Sequence, residues 1–139
     1  MLEKYEFINH TADIGIKVKG KSLKDLFSNA GYAMFDILVE IKDVKPEENL
    51  TIKIPGGQIE DILADWLREL LLKFNIDGWV LKVFDVYRVD ESGLEATVKG
   101  EKMDPSRHRL KTEIKAVTYH NLEVYKNGNI WKAQIIFDV

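Results

Sequence analysis

The sequence predicts an α+β fold in which two helices cover one face of a mainly antiparallel sheet. Two alternating segments open the chain, two later stretches carry apolar residues at intervals of three and four, and nearly everything after Trp79 reads as strands separated by turn signals. The order is β-β-α-β-α followed by several β. A length of 139 residues suits one domain over 1–139.

Tyr5 and Phe7 alternate with polar neighbours and predict a strand from about Lys4 to Asn9. Ile14, Ile16 and Val18 alternate with Gly15, Lys17 and Lys19, which predicts a second strand with one wet face, closed by Gly20. His10-Thr11-Ala12-Asp13 forms the polar corner between them. Ser22 suits a helix N-cap, and Asp25 lies near the positive end of that helix. Leu23, Leu26, Phe27, Ala30, Met34 and Ile37 continue it to about Val39. After a charged connection, Leu50, Ile52 and Ile54 alternate until Pro55-Gly56-Gly57. The second helix is the clearest element: Ile59, Ile62, Leu63, Trp66, Leu67, Leu70, Leu71 and Phe74 form one stripe that ends near Asn75. Val80 to Val89 and Leu94 to Lys99 predict a strand pair around Glu91-Ser92-Gly93. Lys102 to Lys111 is a polar loop. Further strands are expected at Ile114 to Thr118, His120 to Tyr125 and Ile130 to Asp138, with Asn127-Gly128 as the turn between the last two.

Hydrophobic residues make up 45% and charged residues 31%, an ordinary globular balance. A net charge of −3 gives no global attraction to phosphate backbones. The chain has no cysteine, which excludes disulfides, a thiolate zinc site and a cysteine nucleophile. No run reaches the roughly 18 apolar residues of a membrane span. The N-terminus is charged from Glu3 and lacks the apolar centre of a signal peptide, so no membrane is expected and the cytoplasm is the expected location. Neither a Walker-type phosphate loop, nor G-x-G-x-x-G, nor G-x-S-x-G is present. The chain does not read as a complete enzyme.

Three polar clusters are candidates for chemistry. Asp138 offers two carboxylate oxygens, and Val139 carries a free α-carboxylate where the chain ends inside an apolar, strand-like run. With Asp13 nearby, three carboxylates would converge, a donor set that suits Ca²⁺, Mg²⁺ or Mn²⁺. On the residues alone, a lysine-paired Asp138 and a solvated terminus are the favoured reading. His10 is either a ligand or a strand-end hydrogen-bonding residue. Arg107 and His108, in the loop from Asp104 to Arg109, suit phosphate or carboxylate recognition, against the plainer reading of a solvated loop. Lys115 is a candidate partner contact. His120 is a candidate acid–base group or a local hydrogen-bonding residue. Lys17, Lys19, Lys21 and Lys24 form a basic run that a wet strand face explains.

At these clusters the chain resembles the archease family over nearly its whole length. The resemblance rests on His10-Thr11-Ala12-Asp13, on Trp66-Leu67-Arg68-Glu69-Leu70-Leu71, and on Gly100, Asp104 and Arg107-His108. It continues through Ile114-Lys115-Ala116-Val117-Thr118-Tyr119-His120 and the final Trp131 to Val139 run, including its Asp-Val end. It implies an SHS2-type strand-helix-strand-strand module. It implies a divalent cation on Asp13, Asp138 and Val139. It implies an accessory protein, not an enzyme, which promotes guanylylation and multiple turnover of an RtcB-type tRNA-splicing RNA ligase, with tRNA engaged indirectly through that partner. His10, Lys115, Arg107, His108 and His120 are then supporting or partner contacts. Two alternatives stand beside it: a chaperone or modulator of a tRNA methyltransferase, and a stand-alone metal-dependent hydrolase.

Overall fold

The structure is a computed structural model that describes residues 4–8 and 13–139. Its elements run β1 (Tyr5–Ile8), β2 (Asp13–Gly20), α1 (Leu23–Leu38), β3 (Glu48–Pro55), α2 (Ile59–Asn75), β4 (Trp79–Asp90), β5 (Gly93–Lys102), β6 (Ala116–Val117), β7 (Glu123–Asn127) and β8 (Ile130–Asp138). The class is the expected α+β. The strands divide into two sheets, where the alternation alone suggested one. A five-stranded sheet runs β1-β2-β8-β6 with β7 also on β8, and a three-stranded sheet runs β3-β5-β4; every pairing is antiparallel.

The helices follow their expected bounds closely because local signals and packing agree. The Ser22 hydroxyl accepts from the Asp25 N–H at 3.1 Å, which satisfies a free donor of the first turn of α1. At its other end, the N–H groups of Lys111 and Thr112 donate to the carbonyls of Leu38 and Ile37. The polar 102–111 segment thus ends by capping α1, a task more often done by glycine. α1 packs against β2 and β4, and α2 meets α1, β3, β4 and β6. Trp66 is fully buried at the helix–helix contact, and its Nε1 donates to the Phe27 carbonyl at 2.9 Å. One contiguous core joins both helices to both sheets, with Phe35 edge-on to Phe74 and tilted against Phe84.

Three elements depart from expectation. The strand expected over Ile114 to Thr118 contracts to Ala116–Val117. His120 and Asn121 lie in a turn, closed by the Leu122 N–H on the Tyr119 carbonyl, with Asn121 at φ 53. Positive φ at the third residue is the mark of a type II turn, and asparagine is one of the few residues that tolerate it. The β7–β8 hairpin turns on Gly128 and Asn129, since Asn127 still pairs with Ile130. Only Gly128 has positive φ, at 64, which fits a type II′ turn.

Candidate functional site

β8 is the strand on which the site is built. Its order between β2 and β6 places Asp13, Asp138 and Ala116 in one row across three strands. Directly opposed residues of an antiparallel pair point to the same face, with Cα atoms roughly 4.5–5.5 Å apart. Along β8, Ala133, Ile135 and Phe137 are buried in the core, whereas Asp138 is exposed. Asp13 and Asp138 therefore share the face turned away from the helices. Two like charges directly opposed across strands destabilise the pairing unless something neutralises them. Among the described residues, no lysine comes within ion-pair distance of the Asp138 carboxylate.

The remaining candidates divide by position. Lys115 is exposed, and its backbone N–H donates to the Asp138 carbonyl at 2.7 Å, so it is anchored beside the acid pair. Val139 is half-buried against the core. His120 is exposed in the β6–β7 turn, where its N–H donates to the Thr118 hydroxyl at 3.2 Å. His10 lies outside the described residues. No group of three or more His, Cys, Asp or Glu side chains is gathered among the described residues. Among the described residues, the oxygen donors at this corner are the two aspartates and Val139. These described donors are oxygens, of the kind a hard divalent cation takes.

Arg107 and His108 belong to a different structure. Glu101, at the end of β5, is only 7% exposed. The Arg107 guanidinium grips both of its carboxylate oxygens, and the Lys45 N–H donates to Oε2 at 2.7 Å. His108, whose side chain has no exposed surface, accepts the Asp104 N–H on Nδ1 at 2.8 Å. Its other nitrogen, Nε2, then carries the proton and donates to Glu101 Oε2 at 2.9 Å. The Arg107 hydrogen bonds, ahead of the Lys45 and His108 contacts, hold the Glu101 carboxyl at about 2, far below its ordinary 4.5. This cluster ties the 102–108 segment to the end of β5 and to the loop before β3. His108 presents nothing to a partner in this arrangement.

The helical stripe gives no signal for Arg68, yet Arg68 serves the candidate surface. It donates to the Val117 carbonyl at 3.0 Å and lies over the Tyr119 ring at 4.4 Å. α2 thereby braces the strip that carries Ala116 to His120, and it leaves Tyr119 half exposed.

Fold and site together define a small α+β protein of antiparallel sheets, with two directly paired aspartates where its second and last strands meet. Comparison with known proteins is specific about the family. The archease protein family (MTH1598/TM1083) model matches residues 5–139, and this chain belongs to that family. It is 38% identical to the protein archease of Methanosarcina mazei over 141 residues, covering 99% of this chain and 97% of that one. It is 35% identical to the protein archease of Sulfurisphaera tokodaii, covering 99% and 100%. Among solved structures it resembles Methanobacterium thermoautotrophicum protein 1598, with a TM-score of 0.84, 32% identity and coverage of 98% and 99%. It also resembles an archease from Thermotoga maritima described as a possible chaperone, with a TM-score of 0.67, 26% identity and coverage of 95% and 94%.

Proposed function

We propose that this chain activates an RtcB-type tRNA-splicing RNA ligase, promoting guanylylation and multiple turnover of that enzyme, through a divalent-cation site on Asp13, Asp138 and Val139. The observation that supports the reading is the register of β2 on β8, which pairs Asp13 directly with Asp138. Two carboxylates with a third oxygen donor are a set that Ca²⁺, Mg²⁺ and Mn²⁺ favour. Such an ion, when bound, supplies positive charge for phosphate oxygens. The chain's own residues hold and aim that charge. Asp13 and Asp138 are fixed by their strands, and Lys115, anchored to Asp138 through its backbone, adds a cation beside them for ligase or phosphate. His120 and the braced Tyr119 extend the contact face. tRNA is reached only through the ligase, in the cytoplasm, and the chain itself performs no catalysis.

Guanylylation of a partner ligase, measured with and without this protein in Ca²⁺, Mg²⁺ and Mn²⁺, tests the reading. Asp13→Asn and Asp138→Asn should each abolish most of the stimulation while leaving the fold intact. Full stimulation by folded variants would remove the acid pair from the mechanism.

A second reading draws on the Thermotoga maritima relative, described as a possible chaperone: the chain chaperones or modulates a tRNA methyltransferase. Capture of a methyltransferase in preference to the ligase by the immobilised protein would favour it.

A further inference from the structure

At the far end of β8 from the acid pair, the surface is hollow. Leu23 from the first turn of α1, Ile59 from the start of α2, Val89 near the end of β4 and Trp131 near the start of β8 line a depression of about 650 Å³. All four side chains are half-buried. A second hollow of about 680 Å³ shares Ile59 and Glu91 with the first and continues past Glu60. A third, about 470 Å³, shares Glu60 and reaches Glu123 and Tyr125 on β7. The three make one trough around the N-terminal end of α2.

Its charge is one-sided. Glu60, Asp90, Glu91 and Glu123 border the trough, and no lysine or arginine lines it among the described residues. Lys126 approaches the Trp131 ring at 5.9 Å without being part of the lining. Asp90 is engaged by Ser92 and lies 3.5 Å from Arg88. Glu60, Glu91 and Glu123 have no ion-pair partner among the described residues.

We propose that this trough docks a basic-apolar peptide segment of a partner protein. A large apolar side chain fills the hollow between Leu23, Ile59, Val89 and Trp131, and lysines or arginines on either side of it meet Glu60, Glu91 and Glu123. An apolar floor that includes a tryptophan is the kind of pocket that anchors a partner side chain. The acidic border selects the sign of the flanking residues and repels nucleic acid and anionic lipid. Three adjoining, shallow hollows suit an extended chain better than a compact small molecule. Trp131 and Asp138 belong to one nine-residue strand, which puts them roughly 23 Å apart at about 3.3 Å per residue. The trough and the acid pair can therefore be occupied together.

The test uses the intact protein and a fluorescein-labelled peptide with a Leu-Phe-Leu centre and paired lysines on both sides, followed by fluorescence anisotropy. Saturable binding is expected, weakened about tenfold by glutamate flanks or by the double variant Glu60→Lys/Glu91→Lys, and weakened by added salt. Ile59→Ser, checked for folding by circular dichroism, should also weaken it, whereas Asp138→Asn should not. Equal binding of lysine- and glutamate-flanked peptides would overturn the proposal, as would no binding at all or indifference to Glu60→Lys/Glu91→Lys. Self-association in sedimentation that Ile59→Ser abolishes would overturn it too, assigning the trough to a second copy.

Discussion

Glu101 shows how a single carboxylate organises a loop. It is buried yet charged, because Arg107, the Lys45 N–H and His108 together replace its water. Its folded value of about 2 lies below the ordinary 4.5, so folding favours the charged form. The stability it contributes is complete above about pH 4.5 and is lost as pH falls toward 2. Urea unfolding midpoints should therefore decline over that window, and Glu101→Gln should flatten the decline. Arg107→Ala should destabilise the protein at neutral pH, since it strands a buried charge, and distinctly less near pH 2. The sequence displays Arg107 and His108 openly, but not their task. Glu101 falls out of phase with Leu94, Ala96 and Val98, so alternation places it on the wet face. Only the return of the loop over that face buries it.

Elements were more legible where one packing surface decided them. The stripe from Ile59 to Phe74 predicts α2 almost to the residue, and the Ser22 cap predicts the start of α1. Trp66 joins the two helices by burial and by its bond to Phe27, so Trp66→Ala should cost about 3–5 kcal/mol in denaturant unfolding. The segment from Ile114 to Tyr125 was less legible, because its alternation resembles strand while its partners dictate otherwise. Thr118 uses both its N–H and its hydroxyl on the Ile136 carbonyl, and the turn at Asn121 then intervenes before β7 can pair with β8. Arg68 holds this strip from α2. Arg68→Ala should destabilise the protein by about 1 kcal/mol. Hydrogen exchange should show faster exchange at the Leu122 amide, with the centre of α2 unchanged.

Across the whole molecule, the decisive event is a pairing between chain ends. The sequence shows Asp13 and Asp138 as candidate acids, but the register that opposes them depends on β8 lying between β2 and β6, which no local pattern encodes. The same pairing makes the proposed cation a fastener between the N-terminal hairpin and the last strand. An ion that binds only the folded chain stabilises it by mass action, about 2.7 kcal/mol at a hundredfold excess over its dissociation constant. For a domain of this size that amounts to roughly 5–10 °C in melting temperature. Thermal unfolding with increasing Ca²⁺, Mg²⁺ or Mn²⁺ should show such a rise, and chelator should reverse it. Asp138→Asn should separate the two halves of the argument by sign. With chelator present, it removes a like charge opposite Asp13 and should leave the melting temperature unchanged or slightly higher. With the favoured cation present, it should fall below the unsubstituted protein, because the ion has lost a donor. A melting temperature that ignores all three cations, or an Asp138→Asn variant that follows the unsubstituted protein in both conditions, would show that the opposed aspartates do not hold an ion.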